Sequence, residues 1–200
     1  DEVRAHLGAD IALHPPAAFP VRLAELDAPV RIDPASAPLA VKTALPRPVH
    51  GTDPVLLPKA CKNAAEIAGM IAAHDRDAVA MCRFLAWLEA EAPSGALTEI
   101  DVARRLEEER RRAPELIEIS FDTICGAGPH GAVVHYRVTE ETNARVVPGE
   151  LLLIDSGGQY VDGTTDITRT VAIGEVTAEQ RDAFTRVLKG MIAISRARWP

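Results

Sequence analysis

The distribution of proline constrains the fold of this chain more than any other feature of its sequence. Ten of its 15 prolines lie in residues 1–58, and none lies between Lys59 and Glu91. Proline lacks a backbone N–H and disrupts helix interiors. Only short elements are therefore expected in the first segment: strands at Ala9–Leu13 and Val30–Ile32, and a helix from Pro38 to Lys42. Residues 1–58 are predicted to form the C-terminal part of an α/β domain that ends in a proline-marked hinge.

The proline-free stretch from Lys59 to about Glu91 predicts one long helix. Eight of its apolar side chains fall close to one helical stripe: Ala65, Ala68, Ile71, Ala72, Val79, Cys82, Leu85 and Leu88. An amphipathic helix of this length needs a partner surface for that stripe. We therefore expect residues 59–200 to contain the main hydrophobic core.

Two capping-box patterns predict the other helices of this second segment. Thr98 with Asp101 opens a helix that runs through Arg111, and Thr177 with Gln180 opens another near the end of the chain. Segments rich in apolar and β-branched residues are predicted strands: Leu116–Ile124, Gly131–Tyr136, Leu151–Ile154 and Ile167–Ile173. The order helix, helix, strands, helix predicts an α+β fold for residues 59–200.

Charge and cysteine content narrow the classes of function. The formal net charge is -7 and basic residues are scattered among acids, so no nucleic-acid partner is expected. No apolar run approaches the roughly 18–20 residues that a bilayer span needs, and no leader pattern opens the chain. The three cysteines match neither a disulfide framework nor a zinc motif. These features predict a cytoplasmic protein, with no membrane partner, whose two ends look cut.

Two aspartates flank a turn-rich segment and are the first candidate site. Asp155 follows Leu151–Ile154, where an ionised carboxylate is costly unless a cation or several donors compensate it. Ten residues separate it from Asp166, so a symmetric hairpin would place the two carboxylates directly opposite each other, both held against the interior. The exact register stays open because Asp162-Gly163 could move the turn off centre. The alternative is an ordinary strand end whose aspartate accepts backbone hydrogen bonds.

The wider pattern around these aspartates resembles a known family. Ile154-Asp155-Ser156-Gly157 together with Asp166–Thr170 is similar to the metal-binding hairpin of the pita-bread metallopeptidases, specifically the Xaa-Pro aminopeptidases of the large cytosolic branch. Further resemblance lies in these segments: Lys59-Ala60, Lys62-Asn63, Glu66, Gly69-Met70, Phe84–Glu89, Gly131–Tyr136 and Glu141–Asn143. The resemblance implies that residues 59–200 are the truncated N-terminal portion of a pita-bread (creatinase/aminopeptidase) catalytic domain.

The resemblance also implies roles for individual residues. Asp155 and Asp166 would be two of five ligands to two divalent ions, usually manganese, with zinc or cobalt as alternatives. The remaining histidine and two glutamates would lie beyond residue 200, so the chain alone is expected to be inactive. His135 would contact substrate and stabilise the tetrahedral intermediate, Phe121 would line the substrate pocket, and Thr168 would hydrogen-bond a ligand carboxylate. From the residues alone, a lone strand histidine such as His135 is more often a satisfied core residue, and a core position suits Phe121 at least as well as the pocket.

The implied activity is hydrolysis of the bond between an N-terminal residue and a penultimate proline, through a water activated by two metal ions. The expected partners are peptides with proline at the second position, and the full-length form is expected to be a homodimer. Two alternatives remain at this point. One is a prolidase-type dipeptidase, and the other is a non-catalytic pita-bread module that binds proteins.

Overall fold

Short elements occupy the proline-rich start of the chain. The computed structural model describes residues 2–198, and a first compact unit ends at Lys62. Two strands, β1 (Val30–Ile32) and β2 (Pro48–His50), pair in parallel in this unit. Its helices are all short: α1 (Glu2–Leu7), α2 (Phe19–Ala24), α3 (Leu39–Ala44) and α4 (Leu56–Ala60). A 3₁₀ turn spans Pro16–Ala18.

Two of the three elements predicted for this unit are confirmed. The strand at Val30–Ile32 is present as β1, and the short helix expected from Pro38 is α3. The strand predicted at Ala9–Leu13 is wrong. Those residues are exposed turns and irregular chain. They lie just before Pro15 and Pro16, and no strand of residues 2–198 pairs with them, so a strand here would leave its backbone groups unpaired.

Three helices frame the second unit, which begins at Asn63. They are α5 (Ala64–Glu91), α6 (Glu99–Arg110) and α7 (Ala178–Ser195). Both predicted capping boxes are confirmed, because the side chains of Thr98 and Thr177 accept from the backbone three residues later. The predicted start of the long helix at Lys59 is wrong. A third capping box fixes its start, since Asn63 Oδ1 accepts from the Glu66 N–H at 2.9 Å and Glu66 accepts in return.

Six strands form two antiparallel sheets in this unit. One sheet has the order β3 (Leu116–Ile119), β6 (Gly158–Tyr160), β7 (Gly163–Thr164), and the other has the order β4 (Ile124–Ala127), β5 (Leu151–Ser156), β8 (Ile167–Ala172). The predicted strands at Leu151–Ile154 and Ile167–Ile173 are therefore confirmed. The single strand predicted at Leu116–Ile124 is instead β3 and β4, which belong to different sheets.

The strand predicted at Gly131–Tyr136 is wrong. A 3₁₀ helix covers Gly128–Ala132, and a turn with no strand partner follows it. Gly128 has φ 51° and precedes Pro129, which cannot donate to a ladder. The β-branched Val133 and Val134 suggested a strand, but their side chains are exposed.

Strands β5 to β8 form one long hairpin that passes from one sheet to the other. Asp155 pairs with Thr168 in the outer part, and Tyr160 pairs with Gly163 next to the turn. Both pairs are symmetric about a two-residue loop at residues 161–162. A Cβ on Gly69 of helix α5 would lie only 2.4 Å from the Asp162 carbonyl oxygen, so the turn is seated directly on the helix backbone. This contact fixes the centre of the hairpin.

The core lies between helices α5 and α6 and the sheet of β4, β5 and β8. Its fully buried members include six residues of the two helices and the central strand: Phe84, Leu88, Val102, Leu106, Leu152 and Ile154. Within residues 2–198, no helix has the combined length and apolar character that crossing a membrane requires.

A buried ion pair joins α5, α6 and the hairpin. Arg110 Nε donates to Asp77 Oδ1 at 2.7 Å and its Nη2 donates to Oδ2 at 3.2 Å. The Tyr160 hydroxyl donates to the same Asp77 Oδ1 at 2.8 Å. Burial, followed by the hydrogen bond to Asp77, raises the pKa of Tyr160, so it remains a hydroxyl donor. Asp77 therefore accepts hydrogen bonds from side chains of two other elements, helix α6 and strand β6.

We predict that Asp77→Asn lowers the free energy of unfolding by about 3–5 kcal/mol, because it leaves Arg110 as a buried charge without a counterion. Asp182→Asn is the control, since Asp182 forms only an exposed pair with Arg186 on one helix. Urea unfolding monitored by circular dichroism measures both variants. A loss at Asp77 no larger than the loss at Asp182 would contradict this role.

Candidate functional site

A cavity of about 310 Å³ opens beside the hairpin. Three acids, one histidine, one arginine and two apolar residues line it: Asp122, Asp155, Asp166, His135, Arg137, Phe121 and Ile124. The structure thus brings together four of the five residues singled out from the sequence. Thr168 is the exception, since it does not line the cavity.

Asp155 is positioned by the central strand of its sheet. It lies in β5, with Ile124 of β4 on one side and Thr168 of β8 on the other. Its side chain is half-buried, and its Oδ1 is buried with no hydrogen-bond partner among residues 2–198. Buried polar atoms are nearly always satisfied, and an unsatisfied carboxylate oxygen is costly. A bound cation would remove this cost.

Asp166 lies one residue before β8 and is exposed. The neighbouring residue, Thr165, is buried. The Thr165 N–H donates to the Gly158 carbonyl oxygen across the hairpin, and the Thr165 hydroxyl oxygen accepts from the Gly158 N–H. This pairing holds the residue that carries the second carboxylate at a fixed point beside the cavity. The expectation that both aspartates are held against the interior is therefore wrong for Asp166.

The expected direct opposition of the two aspartates is also wrong. Asp155 lies opposite Thr168, so Asp166 is the diagonal neighbour, two residues away along the partner chain. The reason is the turn at residues 161–162, which sits one residue further along the chain than a symmetric Asp155–Asp166 hairpin would require. Diagonal neighbours in a regular antiparallel pair are about 7–8 Å apart, and their side chains still face the same side.

His135 reaches the cavity from an irregular segment. It is exposed, and its φ of 55° makes it the one non-glycine residue in the left-handed region among residues 2–198. Non-glycine residues adopt this region at an energetic cost that the surrounding structure must offset. His135 is therefore not the core histidine that a strand position would have made it.

Glu99 anchors the segment that carries His135. Its buried carboxylate accepts from the N–H groups of Ala127 and Ala144 at 2.7 and 2.9 Å. It also bonds His130 Nδ1 at 2.8 Å and accepts from the Tyr136 hydroxyl at 3.3 Å. The His130 and Tyr136 rings stack with centroids 4.5 Å apart. This role could not be predicted from the sequence, where Glu99 has the pattern of an ordinary acid in the first turn of α6.

Phe121 and Thr168 occupy different positions relative to the cavity. Phe121 is half-buried and lines it, as a residue of the substrate pocket would. Thr168 is exposed on β8 opposite Asp155. Within residues 2–198, no hydrogen bond joins the Thr168 side chain to either aspartate. Its assigned hydrogen bond to a ligand carboxylate therefore stays a prediction.

Sequence reasoning missed two charged residues of the cavity. Asp122 and Arg137 form an ion pair, with Arg137 Nη1 at 2.7 Å from Asp122 Oδ2. Arg137 lies only two residues after His135, which is a signal that could have found it. Asp122 lies in the connection between β3 and β4. The sequence predicted one continuous strand there, so no loop residue was considered for the cavity.

The donors at the cavity fit part of a metal site. Carboxylate oxygens suit hard divalent ions such as manganese, and the unsatisfied Oδ1 of Asp155 is available to one. Within residues 2–198, no group of three or more histidine, cysteine or acidic side chains is arranged to hold an ion. Cys125, next to Ile124, is buried, and burial raises its thiol pKa, so it offers no thiolate.

Comparison with known proteins identifies the family of the chain. The sequence model described as Metallopeptidase family M24 matches residues 68–200. The chain belongs to this family. Aminopeptidase P2 of Arabidopsis thaliana is 50% identical over 159 residues, which are 79% of this chain and 22% of that protein. The Xaa-Pro aminopeptidase ApepP of Drosophila melanogaster is 44% identical over 155 residues, covering 77% of this chain and 25% of that protein.

A solved relative supports the same assignment. The structure of the X-prolyl aminopeptidase from Caenorhabditis elegans, described as a cytosolic enzyme with a di-nuclear active site, superposes with a TM-score of 0.84 at 32% identity. The match covers 94% of this M24 chain and 32% of that one. The predicted α+β class and the N-terminal part of a pita-bread catalytic domain are confirmed. The chain spans about a quarter of the length of the curated relatives named above.

We predict that Asp155→Asn raises the free energy of unfolding of the metal-free protein by about 1 kcal/mol, because it removes a charge whose buried oxygen has no donor. Asp77→Asn provides the contrast, since there the same substitution removes a satisfied charge. Chemical unfolding in the presence of a chelator measures both. A stability loss at Asp155 comparable to that at Asp77 would mean that Asp155 is a structural residue.

Proposed function

We infer that the whole protein to which this chain belongs is an Xaa-Pro aminopeptidase. The observation that carries this proposal is a single cavity lined by Asp155, Asp166 and His135 in an M24 chain. Relatives that match at 44–48% identity are named as Xaa-Pro aminopeptidases. The proposed reaction is hydrolysis of the bond between an N-terminal residue and a penultimate proline.

Asp155 and Asp166 would hold two divalent metal ions, with manganese as the proposed metal. Such ions supply a Lewis acid and lower the pKa of a coordinated water toward about 7. The di-nuclear site of the nematode enzyme supports this number of ions. Because the described residues contain no cluster of three ligands, we propose that a histidine and two glutamates elsewhere in the protein complete the set. These 200 residues alone would then be inactive.

The chain's own residues have separate tasks in this reaction. The amino terminus of a peptide would bind, as a neutral amine, at the metal ions that Asp155 and Asp166 hold. His135, exposed at the cavity, would donate a hydrogen bond to the scissile carbonyl oxygen as negative charge develops on it. Phe121 and Ile124 offer apolar surface to a proline ring. Thr168 would hydrogen-bond a metal-ligating carboxylate once the hydroxyl turns toward Asp155, which lies directly opposite.

The penultimate proline explains why a dedicated site is needed. Its tertiary amide has no N–H, and its ring restricts the backbone. A general aminopeptidase that binds that N–H therefore loses a contact. The apolar side chains of Phe121 and Ile124 can contact a proline ring without a hydrogen bond from a substrate N–H.

Three further properties belong to the same proposal. Residues 1–58 would be the end of the domain that precedes the catalytic domain, which begins at residue 59. The protein would act in the cytoplasm, as the nematode relative is described to do. It would also act as a homodimer.

The alternatives differ in observable ways. A prolidase would cleave Xaa-Pro dipeptides faster than longer Xaa-Pro peptides, and the aminopeptidase proposed here would show the reverse preference. A non-catalytic binding module would cleave neither. The retained Asp155, Asp166 and His135 on one cavity favour the enzyme, because a module that only binds proteins has no need to keep them together.

In the whole protein, we predict that His135→Asn lowers kcat by about 100-fold, the usual loss when one donor to a developing oxyanion is removed. His74→Asn is the control, since His74 is exposed on α5 and bonds only the Met70 carbonyl oxygen. The assay compares a peptide with proline second against the same peptide with alanine second. Unchanged kcat in His135→Asn, or faster cleavage of the alanine peptide by the unmodified protein, would contradict the proposal.

A further inference from the structure

Arg137 is the one cationic side chain that lines the cavity within residues 2–198. The other charged lining residues are Asp122, Asp155 and Asp166. None of the tasks proposed above uses Arg137. A cation in the lining of this cavity provides a second point of charge recognition, separate from the metal-binding aspartates.

The partner of Arg137 can be exchanged. Its ion pair with Asp122 is short at 2.7 Å, but the two side chains are 74% and 65% exposed. Exposed pairs contribute little to stability, because water screens them and two flexible side chains must be ordered. Arg137 is therefore free to leave Asp122 for another carboxylate. Its planar guanidinium suits two-point contact with such a group.

The polarity of the cavity orients a bound peptide. The proposed function places the substrate amino terminus at Asp155 and Asp166, and this inference rests on that placement. The residues after the penultimate proline must then extend along the remaining lining, where Asp122 and Arg137 lie. A carboxylate on that part of the peptide would meet Arg137, whereas a cationic group there would meet Asp122.

We propose that Arg137 is a specificity-determining residue that favours peptides carrying a carboxylate downstream of the penultimate proline. The carboxylate has two possible sources, the C-terminus of a short peptide or the side chain of an acidic residue. Asp122 opposes this preference by competing for the same guanidinium. Arg137 and Asp122 together thus set how strongly a charge downstream of the penultimate proline affects the rate of cleavage.

The test measures kcat/KM of the whole protein on two matched substrate pairs. The first pair is an Xaa-Pro-Gly tripeptide with a free C-terminus and its C-terminal amide. The second pair is Xaa-Pro-Asp-amide and Xaa-Pro-Asn-amide. We expect the charged member of at least one pair to be preferred about two- to fivefold, the range that an exposed ion pair supports. Preference in the first pair identifies the chain terminus as the source, and preference in the second identifies the side chain.

Three variants assign the preference to its residues. Arg137→Gln should bring the ratio to about one, and Asp122→Asn should increase it. Arg104→Gln should leave it unchanged, because Arg104 forms a comparably exposed pair with Glu140 away from the cavity. Raising the salt concentration should weaken the preference in the unmodified protein, since exposed charges are screened. Thermal unfolding verifies that each variant is folded.

Two results would overturn this inference while leaving the proposed function intact. One is a ratio of one in both pairs for an unmodified protein that cleaves all four peptides. The other is a preference that persists in Arg137→Gln. If the unmodified protein cleaves none of the four, the proposed function fails and this inference fails with it.

Discussion

At the tip of the long hairpin, Gly69 and Gly163 let the turn approach helix α5 more closely than side chains would allow. A Cβ on Gly163 would lie 2.9 Å from that of Ala73, and one on Gly69 would meet the Asp162 carbonyl. An ion pair between Arg76 and Asp162 adds to the contact. Because the strands pair symmetrically about this turn, seating it on the helix sets every pairing further along the hairpin, including that of the residues at the cavity.

The acidic side chains of the second unit fall into two physically different groups. Asp77 and Glu99 are buried and fully engaged by donors from other elements, so they bind the fold together. Asp155 and Asp166 are more accessible, and the buried oxygen of Asp155 has no partner. Asp155 therefore differs from the two fully engaged acids, and its unsatisfied buried oxygen indicates function, because stability alone would favour replacing it. Glu99 holds the segment that carries His135, and Asp77 bonds Tyr160 of the hairpin that carries Asp155 and Asp166. The two buried acids thus position the residues that line the cavity.

Local signals predicted more of this structure than long-range ones did. The capping boxes at Thr98 and Thr177 each involve only two residues, three positions apart, so the local sequence alone was enough to predict them. The register of Asp155 depends on a contact with a helix some ninety residues earlier in the chain, and the segment before His135 depends on the distant Glu99. Neither contact can be read from spacing. The aspartates were nevertheless found, because their residue types and neighbours resemble a family motif even where the assumed geometry was wrong.

In the proposed function, the seated hairpin presents Asp155 and Asp166 to the same pair of metal ions. Crystals of the whole protein grown with Mn²⁺ test it most directly, through anomalous difference density collected where manganese scatters strongly. We expect two peaks within about 4 Å of each other, in contact with the carboxylates of both aspartates. Peaks that contact neither carboxylate, or density at the cavity that remains empty at saturating Mn²⁺, would contradict it.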